Sequence, residues 1–319
     1  MIENYVKTHI GQRDLNEDRY LVDEELGLYI VADGVGGLDK GEVASKLTCE
    51  LIHKNIKQGQ SLVESVEAAH QYIITDLETN KQNAGMASTV VALKFSNTDY
   101  EIAWVGDSRV YLWDGELKLL TRDHSYLELL FVAGQIGIDD FKNNPNKNVI
   151  SQAIGIEKEF VDVSTNKGTL EKNQVLLMAT DGLYEVVREK KIIERLVLNA
   201  PIEKLTVDLV DCAVDLGGKD NITLMALKSN AVHVDKKGAI KADVVRKFNA
   251  ETGKATEIKE DITNQSKVAN KVSVNSIKPK NLSDLGMNDK EKKKGKFKLI
   301  ELLLLILIII AATVIYNLI

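Results

Sequence analysis

Three short apolar segments follow one another with only a few residues between them: "STVVALKF" (88–95), "YEIAWVGD" (100–107) and "RVYLW" (109–113). Each is rich in β-branched or aliphatic residues and bounded by Gly, Asp or Asn, the pattern of a strand. A parallel pairing needs a crossover of a dozen or more residues, so this spacing predicts an antiparallel meander. "LGLYIVAD" (26–33), "NQVLLMAT" (173–180) and "NITLMALK" (221–228) read as further strands. Between them run one-sided helical stripes, Leu62, Val66, Ala69, Ile73 and Leu77, then Ile202, Leu205, Leu209, Cys212 and Leu216. Pro201 suits the first turn of the second helix, where its missing N–H costs little. The expected class is α+β, with helices packed over antiparallel sheets.

Charge divides the chain into three regions. Residues 1–228 carry 24 Lys+Arg against 37 Asp+Glu, whereas residues 229–298 carry 17 against 9. An acidic body argues against nucleic acid as a partner, and a basic tail points to an anionic surface. The expected regions are therefore a globular body at 1–228, a flexible basic linker at 229–298 and a membrane helix at 299–319. The linker has only Phe248 and Phe297 as aromatics and reads as disordered, with "AIKADVVRKF" (239–248) as a weak helix. "LIELLLLILIIIAATVIYNLI" (299–319) is apolar on every side. At about 1.5 Å per residue its length reaches roughly the 30 Å of a bilayer core. A core helix of the body is the other reading, but the body ends some seventy residues earlier. A C-terminal anchor in the cell membrane lipid, with the lysines before it keeping the body cytoplasmic, is the expectation. "MIENYVKTHIGQRD" lacks the apolar stretch of a signal peptide. Cys49 and Cys212 lie in helical patterns and read as core residues of a reduced protein.

The chemistry gathers in carboxylates. "IVADGVGG" (30–37) and "LLMATDGL" (176–183) each end an apolar strand on Asp-Gly. Such a pair makes a turn by itself, since Asp bonds nearby backbone and Gly accepts positive φ. It can also present a metal ligand from a rigid element. Glu17 and Asp18 in "RDLNED", Asp107 in "VGDSR" and Asp220 in "GGKDNIT" lie in comparable places. If two sheets face each other, these strand ends can converge on one edge. Crowded carboxylates would repel and hold their protons, and a bound cation is the simplest way to keep them ionised. Oxygen donors of this kind suit Mg²⁺ and Mn²⁺.

The blocks "GQRDLNEDRY", "IVADGVGGLDKGEVAS", "ASTVVALKF", "WVGDSRVYLW", "LTRDHS", "LLMATDGLYE" and "GGKDNITLMAL" occur in this order across residues 1–228. In that order the chain resembles the metal-dependent Ser/Thr protein phosphatases of the PPM, or type 2C, family, in its shorter bacterial form. The resemblance implies a four-layer α-β-β-α sandwich of two antiparallel sheets. It also implies that Asp33 bridges two Mn²⁺ or Mg²⁺ ions, with the Gly34 carbonyl completing one and Asp181 and Asp220 ligating the other. Asp18 and Glu17 would hold metal-bound water, Asp107 a third ion, and Arg13 the substrate phosphate. The implied reaction is attack of a hydroxide bridging the two metals on phosphoserine or phosphothreonine. The implied partners are phosphorylated proteins, substrates of a cognate Ser/Thr kinase. Read without the resemblance, Asp107 is also a turn aspartate or a partner for Arg109, and Arg13 a surface arginine.

Two positions depart from the family. Leu38 stands where bacterial members usually carry His, and Val35 where eukaryotic members place a His acting as general acid. No histidine of this motif can then protonate a leaving alcohol. His124 in "RDHS" is expected to be structural, and residues 129–155 match the family's flap, a mobile segment beside the site that helps choose substrates. The competing class is a catalytically silent pseudophosphatase, a membrane-tethered binding module.

Overall fold

Strand Leu28–Ala32 is buried along its whole length, as is Val175–Ala179. A strand with one covered face alternates, so continuous burial means that both faces are covered. A computed structural model describes residues 2–35, 40–80, 85–156, 160–230 and 239–258 and shows what covers them. One sheet has seven strands in the order β1 (Ile2–His9), β12 (Ile222–Ser229), β11 (Val175–Ala179), β8 (Arg109–Trp113), β9 (Leu117–Leu119), β13 (Arg246–Phe248) and β14 (Ala255–Glu257). The other has five, β10 (Ser164–Thr169), β7 (Asp99–Val105), β6 (Val90–Ser96), β3 (Leu28–Ala32) and β2 (Arg19–Asp23). A short pair, β4 (Gly34–Val35) with β5 (Ala87–Ser88), lies apart from both. The neighbours in the two large sheets are antiparallel throughout.

The facing sides of the two sheets bury Val31, Val91, Ile102, Leu176, Met178 and Met225 against one another. Helices α1 (Gly41–Lys57) and α2 (Leu62–Thr79) cover the outer face of the five-stranded sheet, with Ile52, Val66 and Ile73 packed with Ile30 and Val90. Helices α5 (Glu189–Val197) and α6 (Ile202–Asp215) cover the seven-stranded sheet in the same way. This is the expected α-β-β-α sandwich. Ser61 starts α2 with a full capping box to Glu64, fixing the first turn of the predicted stripe. Pro201 is the N-cap of α6, one residue earlier than predicted. Both cysteines are free thiols, Cys49 buried and Cys212 partly so.

Three expectations change. The meander holds only from β6 to β7, which form a hairpin. The next strand, β8, belongs to the other sheet and pairs with β9 and β11. The chain crosses between sheets at Gly106–Ser108, where Gly106 has φ +107° and a Cβ on it would lie 2.6 Å from the Thr89 side chain. Close spacing forces antiparallel pairing only while the chain stays in one sheet. The expected boundary at 228 also falls short, because the compact unit runs on to Lys259. The predicted weak helix at 239–248 is instead an extended segment ending in β13, which pairs with β9 and turns back into β14. A segment that joins an edge already formed needs few apolar residues of its own; Phe248, 8 % exposed, supplies one. Residues 299–319 and the rest of the expected linker lie outside the described residues. Among those described, no helix is long and apolar enough to cross a membrane.

Candidate active site

The acidic residues come together at one end of the sandwich because glycines let separate loops touch. A Cβ on Gly34 would meet Gly41 O at 2.2 Å, and one on Gly182 would meet Asn221 O at 2.0 Å. The glycine after each strand-end aspartate therefore does more than turn the chain: it brings a second backbone against it. The same holds for Gly11, at φ +64°, whose Cβ would meet Asp220 O at 1.9 Å. Two of these approaches draw the Arg13 turn, the Asp181 turn and the Asp220 loop together, and the third seats the Asp33 loop on the start of α1.

Hydrogen bonds from neighbouring loops fix most of these acids in place. The Asp33 N–H donates to Thr89 Oγ1 (3.2 Å), and its carbonyl accepts from Thr89 N (2.8 Å) and Ser88 Oγ (3.0 Å). Asp18 is 2 % exposed, and its Oδ2 accepts from Thr180 Oγ1 (3.0 Å) and Thr223 Oγ1 (2.6 Å). Asp107 sits on the crossover between sheets, its carbonyl accepting from Tyr184 Oη at 2.9 Å. Asp181 opens the short helix α4 (Asp181–Tyr184) directly after β11. Asp220 Oδ1 accepts from Asn221 N (2.8 Å), and Oδ2 from Arg13 Nη2 (2.7 Å). Glu17 Oε1 accepts from Gly41 N (3.0 Å) at the start of α1, and the Glu17 carbonyl accepts from Gly34 N (3.2 Å) and Ser45 Oγ (2.5 Å). That ties the "NED" turn to the Asp33 loop.

Electrostatics shows that these carboxylates share one space. Burial first, then Asp18, Asp181, Asp107 and Asp220, hold the Asp33 carboxyl well above the usual carboxylate range. Asp181 is raised by burial, then by Asp107, Asp220, Glu185 and Asp18. Burial pushes Asp18 up to about 7, against its two threonine hydrogen bonds. Asp107 also rises to about 7, by burial and then Asp123. The cation available inside the cluster is Arg13, a little over half exposed and laid on Asp220, whose own pKa that hydrogen bond raises. Arg109 does not serve Asp107: its guanidinium forks onto Asp123 at 2.7–3.2 Å and stacks 3.7 Å over the Tyr184 ring.

A hard divalent cation fits this chemistry. The converging donors are oxygens, and Asp18 Oδ1 and Asp181 Oδ1 are buried without a hydrogen-bond partner. A buried orphan carboxylate oxygen is costly unless a cation or water meets it. Among the described residues, no three acidic, His or Cys side chains have closed into a ligand cage.

Several residues that hold the site carry no charge and gave no signal as ligands. Asn221 is the clearest. Its Nδ2 donates to Ile10 O (2.9 Å) and Leu15 O (3.0 Å), and its Oδ1 accepts from Glu17 N (2.8 Å), so it clasps both ends of the Arg13 turn. Thr89, Thr180 and Thr223 are the others; each stands beside a motif aspartate in sequence or across a strand pair. His124 is structural, as expected. Its Nδ1 accepts from Gly106 N (3.2 Å), its Nε2 meets Ser164 Oγ (2.9 Å), and its ring stacks on Trp104. Val35 lies in β4 opposite Ala87, and Leu38 lies outside the described residues.

Comparison with known proteins agrees with this geometry. Residues 7–215 match the family described as Protein phosphatase 2C. The serine/threonine phosphatase stp of Listeria innocua is 31 % identical over 214 residues, covering 64 % of this chain and 84 % of its own. The crystal structure of the serine/threonine phosphatase Stp1 from Staphylococcus aureus superposes with a TM-score of 0.67 at 27 % identity, over 72 % of this chain and 96 % of that one. The catalytic domain of the phosphatase PstP, solved in complex with two manganese ions, gives 0.63 at 26 % identity, over 71 % and 97 %. With the match spanning most of the folded unit, the chain belongs to the protein phosphatase 2C family and is a serine/threonine phosphatase of the bacterial type.

Proposed function

We propose that this chain hydrolyses phosphoserine and phosphothreonine in proteins, using Mn²⁺ or Mg²⁺ held by Asp33, the Gly34 carbonyl, Asp181 and Asp220, with Asp18 and Glu17 behind them and Asp107 serving a third ion. One observation carries this assignment: five aspartates from separate loops gather at one edge of the sandwich, where Asp33 and Asp181 are held well above the usual carboxylate range by burial and by the others, and Asp18 and Asp181 keep orphaned buried oxygens. The manganese pair in PstP supports it. When bound, such a pair supplies a nucleophile at neutral pH and offsets the charge of the phosphoryl group.

The chain's own residues do the rest. Thr180 and Thr223 fix one Asp18 oxygen and leave the other forward. Arg13 can grip phosphate oxygens with two parallel N–H donors, which a lysine cannot do as well. Its exposure and its single bond to Asp220 leave it free to turn from that carboxylate to an arriving phosphate. Val35 offers no proton to the leaving alcohol, so that proton comes from water. A silent binding module would be favoured by the loss of one of these aspartates, and all five are present.

The direct test is hydrolysis of p-nitrophenyl phosphate and of a phosphothreonine peptide with Mn²⁺. Activity retained by Asp33→Ala or Asp181→Ala would falsify the assignment. We further propose that the enzyme works at the cytoplasmic face of the cell membrane, opposing a Ser/Thr kinase and anchored through residues 299–319, on the strength of that segment's length and apolar character. Full-length protein that leaves the membrane pellet on alkaline extraction would contradict the anchor.

A further inference from the structure

The family match ends at residue 215, yet residues 239–258 are built into the sandwich. This strap crosses from one sheet to the other. At its start, Ile240 exchanges bonds with Thr169 of β10 (Thr169 N to Ile240 O, 2.9 Å; Ile240 N to Thr169 Oγ1, 2.8 Å), the edge of the five-stranded sheet. Asn166 Nδ2, 5 % exposed, then donates to both Asp243 O (2.7 Å) and Leu120 O (2.8 Å). At its far end β13 pairs with β9, the last strand otherwise available in the seven-stranded sheet.

Where it lands, the strap delivers Arg246 into a buried charge cluster. Arg246 and Glu128 are 3 % and 2 % exposed, and Arg246 Nη2 reaches both Glu128 oxygens at 2.8 and 2.6 Å. Arg246 Nε donates to Glu257 Oε2 (3.1 Å), also on the strap. Arg122, from the "LTRDHS" motif, closes the ring by pairing with Glu128 and with Glu257 (2.5 Å). Glu128 belongs to α3 (Tyr126–Val132), the helix that leads into the flap. The Arg246 guanidinium also lies 5.4 Å from the ring centroids of both Phe131 and Phe141, which meet edge to face at 5.7 Å. One arginine thus holds a helix and a 3₁₀ turn (Ile138–Asn143) of the flap.

The flap's other contacts run to the active site. Lys147 Nζ bonds Glu185 Oε1 at 2.8 Å, and Glu185 is among the carboxylates that raise Asp181 and Asp107. Ser151 N donates to the His124 carbonyl (2.7 Å), and Ile154 bridges Ser88, whose hydroxyl holds the Asp33 carbonyl. On the outer side of α3, Leu129 and Val132 are 59 % and 60 % exposed. A polypeptide substrate would meet that surface; a small phosphate ester would not.

We propose that Arg246 is a positioning residue for substrate choice: through Glu128, Phe131 and Phe141 it sets where the flap stands beside the phosphatase site. This rests on the phosphatase assignment for its substrate-level consequence, but the clasp itself can be measured without activity. The experiment uses full-length protein in detergent with Mn²⁺, comparing wild type, Arg246→Met and Arg246→Lys. Lysine keeps a buried positive charge, so it preserves the fold, but it lacks the fork that spans Glu128 and Glu257 together. The expected result is a KM for a phosphothreonine peptide raised about tenfold in Arg246→Met and less in Arg246→Lys, with kcat/KM on p-nitrophenyl phosphate within about twofold. Amide exchange over 126–150 is expected to speed up about tenfold while β3, β6 and β12 keep their protection. Equal losses on both substrates, or unchanged exchange over 126–150, overturn the proposal. If Arg246→Met does not fold, Arg246→Lys alone decides. A wild type that hydrolyses neither substrate overturns the phosphatase assignment, and the exchange measurement still decides the clasp.

Discussion

Two clusters of buried charge lie in this sandwich, and they are built on opposite principles. Around Arg246 two arginines meet two glutamates, each charge answered within the chain. At the acidic edge five aspartates face one another with one exposed arginine among them. Burying an ion is costly in either case. In the first cluster the cost is offset because each arginine bonds both glutamates, so the cluster specifies where two segments sit. In the second it is left unmet, and burial with neighbouring carboxylates raises the pKa of Asp18, Asp33, Asp107 and Asp181. Matched buried charges mark architecture, whereas unmatched ones mark a partner that arrives from outside.

The contrast predicts opposite signs for similar substitutions. The largest effect is on activity: Asp181→Asn is expected to lose on the order of 10³-fold in kcat/KM with a phosphothreonine peptide, because a proposed ligand of the metal pair that would offset the charge of the reacting phosphoryl is removed. Stability should then separate the clusters. Glu128→Gln leaves Arg246 buried beside a neutral group and should cost about 3 kcal/mol in urea unfolding. Asp18→Asn keeps an oxygen to accept from Thr180 and Thr223 but removes the charge. In metal-free protein at pH 8 it should gain about 2 kcal/mol. If both substitutions destabilise alike, the distinction between the clusters is wrong.

What the sequence disclosed follows the same division. The strand-end aspartates were legible because an apolar run, a carboxylate and a glycine stand next to one another in the chain. The sandwich was legible through the helical stripes at 62–77 and 202–216 and the short strands between them. The crossover at Gly106 was not, since a tight connection within one sheet and a step between two sheets leave the same spacing. The strap was missed for a related reason. Composition judged residues 239–258 by the apolar surface they carry, whereas their order comes from Asn166, Leu119, Glu128 and Phe131, all supplied by the body. Asn221 and the three threonines were hidden because neutral hydrogen-bonding residues are common, and only their partners reveal what they hold.

A pH scan sharpens the acidic side. The folded state holds Asp18 and Asp107 at about 7, and Asp33 and Asp181 well above the usual carboxylate range, whereas an unfolded chain titrates near 4. A group raised on folding contributes stability that is complete below its unfolded pKa and is lost as pH rises through the folded one. The chelated protein should therefore lose thermal stability as pH rises from about 4 through about 7. Mn²⁺ at a hundred times its Kd should restore about 2.7 kcal/mol at pH 7.5, roughly 5–10 °C for a domain of this size. Binding should release protons, seen as a buffer-dependent heat in calorimetry. A midpoint that climbs toward pH 7 without metal would contradict the unmatched state of these carboxylates.

The smallest expected effect tests the matched side from its exposed end. Lys147 and Glu185 join the tip of the flap to the site across 2.8 Å, but their side chains are 42 % and 27 % exposed. Screening by salt and the entropy of a long side chain leave such pairs worth about 0.2–1 kcal/mol. Lys147→Ala should change the peptide KM less than about twofold in 150 mM salt, and the unfolding midpoint barely. Arg246→Lys keeps its charge and should still do more, because Arg246 and Glu128 are buried and the arginine spans two glutamates, while Lys147 is exposed and makes a single pair. If Lys147→Ala proves the more damaging of the two, the flap is steered from its exposed tip by charge, and burial is a poor guide to which contact governs it.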